Sequence, residues 1–333
     1  MATRRKKKKT VLVTGASGFL GFHVVQELLC LDFEVRTLSR HANPRLADLG
    51  VEQYQGSVVD ETICMDALAG IHQVYHLAGT VARSPADSGL LYDVHVTGTR
   101  NILTACMANK VDDVVCVSTS GTVGVGRNPD FEADESSPVP WSIIGHWPYY
   151  ESKALAEREI AHFVEKGLPV RIARPTLLLG PGDYNASSTG DVARFLSGEI
   201  KAALPGGMSL VDVRDVAAAL PNLMSHGRPG VGYLMGAANC TIRDFLVGLE
   251  QVSAVRAPAF TIPNTLIKRS GGFIKRLSAM SAFGGLDQVT FEMGCHFWYI
   301  DWSRARDELG FIPREWTQTL ADTVADIRAI GCH

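Results

Sequence analysis

The sequence predicts an α/β fold, a doubly wound parallel sheet with a smaller lobe towards the C-terminus. Three observations lead there. Strand-like and helix-like segments alternate through the first half of the 333-residue chain. The first strand runs into a glycine-rich turn, "TGASGFLG", and a helix follows at once. After about residue 180 the alternation loosens into "GPGDYNASSTG" and shorter segments.

Each element has its own reason. "TVLVTG" (10–15) is a buried apolar strand with an abrupt glycine end, and "GFHVVQELLCL" (21–31) repeats apolar residues at helical spacing. "FEVRTLS" (33–39) is a second strand, and "ADLGVEQYQGSVVD" holds a short helix and a third. "ICMDALAG" is helical, and 72–79 is the fourth strand. A long helix over about 88–109 precedes a fifth strand, "DDVVCVSTS" (112–120). "YYESKALAEREIAHFVEKG" (149–167) is an amphipathic helix stopped by Gly167, and "PVRIARPT" (169–176) is a sixth strand. Repeated strand–helix–strand units imply a parallel sheet with helices on both faces. The expected organisation is a basic tail over 1–9, a dinucleotide-binding domain over 10–180 and, over 181–333, mainly a substrate-binding lobe with returns to the main domain.

Composition is that of an ordinary globular protein, 46% hydrophobic and 20% charged, and a net charge of −3 gives no basis for a nucleic-acid partner. "RRKKKK" (4–9) reads as a solvated tail. No apolar run is long enough for a transmembrane helix. The seven cysteines are scattered without a C-x-x-C pair, so neither a disulfide framework nor a metal site is expected, and a cytoplasmic setting fits.

The glycine turn carries the first chemistry. Gly15 permits the tight turn, Gly18 lets backbone approach a pyrophosphate, and Gly21 lets helix and strand pack closely. At the end of the second strand, "VRTLSRHANPR" lacks the acid that would bind the 2′-OH of NAD(H). Arg36 and Arg40 are there instead, and guanidinium suits a 2′-phosphate, so NADP(H) is favoured over NAD(H).

"YYESK" carries the second. Tyr149 and Lys153, four apart, share one face of a helix. A phenol titrates near pH 10, and a neighbouring ammonium would lower that value. The hydroxyls Ser118, Thr119 and Ser120 end the fifth strand, whose carboxyl edge borders the ligand crevice of a doubly wound sheet.

These features together resemble the extended short-chain dehydrogenase/reductase family, which includes sugar-nucleotide epimerases and dehydratases. The resemblance covers nearly the whole chain, through "TGASGFLG", "HLAG" (76–79), "VHVTGTRNIL" (94–103), "STSGTVG" (118–124), "YYESK", "RPTLLLGPGD" (174–183) and "DVRDVA" (212–217). It implies a Rossmann-like domain with a smaller C-terminal substrate lobe, and a homodimer through the helices near 88–109 and 149–167. Carried over by position, Tyr149 is the proton donor or acceptor, Lys153 its partner and Thr119 the catalytic hydroxyl, with Ser120 the alternative if the register shifts by one. The cofactor would meet Gly15, Ser17, Gly18, Phe19, Leu20, Gly21, Leu77, Ala78 and Gly79, with Ser57 and Val58 by the adenine and Pro175 by the nicotinamide. The chain departs from the family at His95, where Asn is frequent, and at Ser57, where Asp is common. Its look is nearest the dihydroflavonol-reductase and 3β-hydroxysteroid-dehydrogenase branch, with bacterial hopanoid-associated sugar epimerases as neighbours.

The implied activity is hydride transfer between NAD(P)(H) and a ketone or secondary alcohol of a small, fairly apolar metabolite. An epimerase or dehydratase, and a non-catalytic cofactor-binding sensor, are the rivals. Among weaker signals, His76 reads as a satisfied core histidine, Asp212, Arg214 and Asp215 as a structural tie, and Trp298, Tyr299 and Trp302 as packing. Residues 262–280, with Lys268, Arg269, Lys275 and Arg276, read as a helix with a solvated face, membrane-surface docking being the sharper alternative.

Overall fold

The computed structural model describes residues 9–82, 84–263 and 288–331. The "RRKKKK" run, except Lys9, and the basic segment from 264 onward lie outside the described residues.

Seven strands form one parallel sheet: β1 (Thr10–Thr14), β2 (Glu34–Ser39), β3 (Glu52–Gln55), β4 (Gln73–His76), β5 (Asp113–Val117), β6 (Val170–Pro175) and β9 (Gly232–Met235). Their order is β3-β2-β1-β4-β5-β6-β9, and every pairing is parallel. The order reverses between β1 and β4, so the carboxyl ends of those two strands open a crevice at the switch point. β7 (Leu177–Leu179), β8 (Gly207–Asp212) and β10 (Ala238–Thr241) make a second, three-stranded sheet.

The core of the large sheet is double. On one face α1 (Phe19–Cys30) and α9 (Val213–His226) pack over Val11, Val13, Val35 and Val115. On the other, α3 (Glu61–Ala67), α5 (Gly98–Ala108) and α7 (Pro148–Glu165) cover Leu12, Val74, Val114 and Val170. This alternation along each strand is what burial on both faces requires. A third cluster joins α8 (Gly190–Leu196), α10 (Ile242–Ser253) and the C-terminal helix Trp316–Ile330 to the small sheet.

The long helix expected over 88–109 is one rod with a defect. It contains α4 (Ser88–Tyr92), a π-helical turn over Asp93–Thr97, and then α5. A π turn widens the spiral by one residue and re-aims the side chains on it. Here it buries His95. α7 starts at Pro148, whose missing N–H costs nothing at the first helical position, and it ends before Gly167 at φ +92°.

The polar ties read as structural are structural. Asp212 is fully buried and holds Arg214 through two bonds of 2.9 and 2.7 Å, Arg214 reaches Asp322, and Asp215 holds Arg314. Trp298 stacks on Trp147 at 5.4 Å, within an apolar cluster.

Candidate active site

At the switch point the β1–α1 turn is built for close approach. Gly15 has φ +71°, and a Cβ there would lie 2.7 Å from the Leu77 carbonyl. A Cβ on Gly21 would lie 2.1 Å from the Gly15 oxygen. Gly18 is the N-cap of α1 and offers no side-chain cap, so the N–H groups of the first turn point out unclaimed. Ser17 is exposed, with Gly18 and Phe19 half-buried beside it and Leu20 anchored in the core. Leu77, Ala78 and Gly79 run past the same turn after β4, with Ala78 N–H donating to Thr14 Oγ1 at 3.1 Å. A pyrophosphate fits this cradle: the donors are free, and side chains at Gly15 and Gly21 would fill it.

Beneath the cradle His76 is buried and doubly bonded. Thr14 Oγ1, which accepts from Ala78 N–H, is hydrogen-bonded to His76 Nδ1 at 2.8 Å, and Thr99 Oγ1 to His76 Nε2 at 3.1 Å. Burial, with Lys153 adding to it, lowers its pKa to about 3 and keeps it neutral. The core reading of His76 stands on these bonds.

Tyr149 and Lys153 lie in the first two turns of α7, opposite the end of β5. Lys153 is 8% exposed, and its Nζ donates to the Val117 carbonyl at 3.1 Å. Burial lowers its pKa to about 8, partly offset by Cys116 and Glu157. The two side chains do not pair directly. Burial, with Tyr150 adding to it, raises the Tyr149 phenol above its ordinary value. Against the expected lowering by Lys153, desolvation and Tyr150 raise the phenol, which is neutral at pH 7.

The three hydroxyls after β5 stand at the same edge. Thr119 is half-buried, and its Oγ1 accepts from Gly121 N–H at 3.3 Å, which leaves its own proton free to donate. Ser118 and Ser120 are buried, and Ser118 Oγ is enclosed without a hydrogen-bond partner among the described residues. Gly121 is pressed against the Tyr150 ring, where a Cβ would come within 2.2 Å of it. That contact brings the Thr119 turn against the start of α7. Pro175 is buried at the end of β6, beside the same edge.

Two adenosine-side readings change. Arg36 sits in mid-strand, where Nε donates to Glu52 at 2.8 Å and Nη1 to the carbonyls of Ala67 and Ala69 at 2.9 and 3.0 Å. Its donors tie β2 to β3 and the end of α3, so the reading of Arg36 as a phosphate ligand is corrected. Arg40 lies past the strand end, exposed and with no protein partner among the described residues. Ser57 Oγ accepts from Val59 N–H at 3.2 Å. The Val58 side chain is buried against Gly98, and Asn101 holds the carbonyls of Val58 and Val59 at 3.1 and 2.9 Å. Val58 thus offers backbone rather than side chain.

Sequence reasoning gave no place in the site to Glu157 or Ser152, and named His95 only as a departure from the family's Asn. Glu157 takes a forked bond from Arg174 of β6, at 3.0 and 2.6 Å, and a third from Thr122 Oγ1 at 3.0 Å. Its signal was spacing: residues 149, 153 and 157 recur every four along one face. His95 and Ser152 are bonded at 2.8 Å behind Tyr149.

A phenol, an ammonium and a hydroxyl stand beside a dinucleotide cradle, an arrangement that suits a nicotinamide-dependent enzyme. The chain belongs to the NAD dependent epimerase/dehydratase family, whose model matches residues 11–236, and so to the extended short-chain dehydrogenase/reductases, which are NAD(P)-dependent oxidoreductases. It is 32% identical to sterol demethylase protein B of Methylococcus capsulatus, over 97% of this chain and 99% of that one. It is 30% identical to a putative dihydroflavonol 4-reductase of Synechocystis sp., over 94% and 92%. Among solved structures, the UDP-glucose 4-epimerase of Thermus thermophilus in complex with NAD superposes with a TM-score of 0.75 at 23% identity, over 96% and 99%, a likeness of fold.

The buried ammonium has a measurable cost. Lys153 titrates near 8 folded and 10.5 unfolded, so between those values the unfolded chain holds more protons and stability rises with pH. Below pH 8 the full cost applies. Without cofactor, Lys153→Met should be more stable than the parent at pH 7, by roughly 2 kcal/mol after allowing for the lost bond to Val117. The gap should narrow at pH 10. Urea unfolding at both pH values checks it.

Proposed function

We propose that the protein reduces a ketone of a small, fairly apolar metabolite, with Tyr149 as the proton donor. The observation that carries this reading is the protonated phenol of Tyr149, a half-buried residue one helical turn from the Lys153 ammonium, at the carboxyl edge of β5. A bound nicotinamide supplies the hydride. As negative charge develops on the substrate oxygen, Tyr149 gives it a proton and the Thr119 hydroxyl donates a hydrogen bond, with Ser120 the alternative. Lys153 keeps two N–H groups for a cofactor ribose and lends positive charge to the phenolate left behind. A phenol held neutral suits reduction better than oxidation, which would need it deprotonated first.

An apolar substrate is supported by Trp147, Tyr150 and Trp298, whose rings cluster beside Tyr149, with Tyr150 and Tyr149 at 5.0 Å. The names of the relatives above, a sterol-processing protein and a flavonoid reductase, point the same way. The second sheet with α8, α10 and the C-terminal helix would be the substrate lobe. Two copies would pair through the outer faces of α4, α5 and α7, where Leu90, Tyr92 and Met107 are exposed. No helix among the described residues is long and apolar enough to cross a membrane. The buried free thiols Cys64, Cys106 and Cys116 suit a cytoplasmic setting.

Within the NAD(P) family, NADP(H) preference rests on Arg40 alone, since Arg36 is committed elsewhere. NADPH should bind more tightly than NADH at low salt, and Arg40→Ala should remove most of the difference. Equal binding in the parent would refute the preference. For the chemistry, Tyr149→Phe should lower turnover by roughly 10²-fold or more with cofactor affinity nearly unchanged. Parental turnover in that variant, measured beside a cofactor titration, would sink the assignment. A protein that purifies with bound NAD and turns over with none added would instead be an epimerase.

A further inference from the structure

One buried ring lies between the loop after β4 and the start of α7. His95 is 1% exposed, on the π turn that re-aims it inward. Its Nε2 accepts the backbone N–H of Thr80 at 3.1 Å, so that nitrogen carries no proton. Its Nδ1 must then be the protonated one, and it lies 2.8 Å from Ser152 Oγ. Ser152 in turn donates to the Tyr149 carbonyl at 2.9 Å. The chain of donors is therefore complete and runs one way, from Thr80 through His95 and Ser152 to Tyr149. The imidazole edge also meets the Tyr149 ring at 5.6 Å and 80°. Gly79 closes the group: a Cβ there would lie 3.3 Å from both His95 Nε2 and Lys153 Nζ.

We propose that His95, as the neutral Nδ1–H tautomer, is a positioning residue that clamps the Gly79–Thr80 backbone to the first turn of α7 and so sets the aim of Tyr149. This rests on the reading of Tyr149 as the proton donor. The ring is not itself an acid. The groups facing it are Lys153, Tyr149 and His76, and burial with the Lys153 charge lowers its pKa to about 2. An imidazolium would also lose the Thr80 bond, because Nε2 would then carry a proton pointed at an N–H. The clamp matters because, among the described residues, the two segments it joins have no other side-chain tie at this level. Thr80 belongs to the loop that passes the cradle, and Tyr149 to the helix that carries the chemistry. A displacement of about 1 Å at a reacting group costs on the order of 10²-fold in rate.

The test uses the full-length protein and three variants. His95→Phe keeps a ring against Tyr149 but removes both hydrogen bonds, Ser152→Ala removes the middle of the chain, and Ser152→Thr keeps a hydroxyl. His95→Phe and Ser152→Ala should each lower kcat by roughly 10- to 100-fold, with KM and cofactor affinity changed less than about threefold. The double variant should be no worse than either single one, because both break one unit. Ser152→Thr should retain most of the parental kcat. If His95→Phe fails to fold, the serine pair carries the kinetic test. Independently of turnover, 15N spectra of labelled imidazoles should show His95 as the Nδ1–H tautomer with no titration between pH 5 and 9. Parental kcat in both His95→Phe and Ser152→Ala, additive losses in the double variant, or an Nε2–H or titrating ring would overturn the clamp. Because the imidazole spectrum needs no substrate, a failure of the clamp is distinguishable from a failure of Tyr149 as donor, which would appear as parental turnover in Tyr149→Phe.

Discussion

The forked bond between Arg174 and Glu157 holds the reacting edge together. The two side chains are 12% and 10% exposed, and the pair is completed by Thr122. It ties three elements that have no covalent reason to stay in register: β6 through Arg174, α7 through Glu157, and the turn after β5 through Thr122. Lys153 sits one turn before Glu157, and the hydroxyls stand just before Thr122. Removing one partner from such a buried pair typically costs about 3–5 kcal/mol, because the other charge is left without an answer. A pair this expensive to break fixes the distance between helix and turn. Its carboxylate also supports the Lys153 charge, which burial would otherwise depress further.

The site then follows from two backbone approaches. At Gly15 the cradle touches Leu77 and Ala78, and at Gly79 the same segment touches Lys153 and His95. The segment after β4 thus passes from the β1–α1 turn to α7 within three residues. Each position along that segment has a single job: Ala78 caps Thr14, Gly79 makes room, and Thr80 engages His95. The reversal of strand order between β1 and β4 is what leaves this segment uncovered for a ligand.

Much of this was legible in the chain. Strand–helix alternation and the glycine turn define the parallel sheet and the cradle, because those signals are local and periodic. The placement of Tyr149 and Lys153 on one helix, near the hydroxyls after β5, was legible through helical spacing. Arg36 misled, since sequence shows a cation near a strand end but not Glu52 on the next strand, 16 residues away, which claims it. The Tyr149 proton balance misled for a related reason: adjacency to Lys153 is visible in sequence, whereas burial is not. The π turn that delivers His95 leaves no periodic trace, because it interrupts the helix by only one residue.

The central claim is that Tyr149 works as a neutral acid beside the Lys153 ammonium. The pH dependence of hydride transfer in single-turnover reduction tests it most directly. The rate should be level from pH 6 to about 7.5, because the phenol is protonated, the lysine is charged and His95 does not titrate in this range. It should fall as pH rises past about 8, where Lys153 loses its proton. A rate that climbs through pH 9, as a phenolate base would require, would contradict the account.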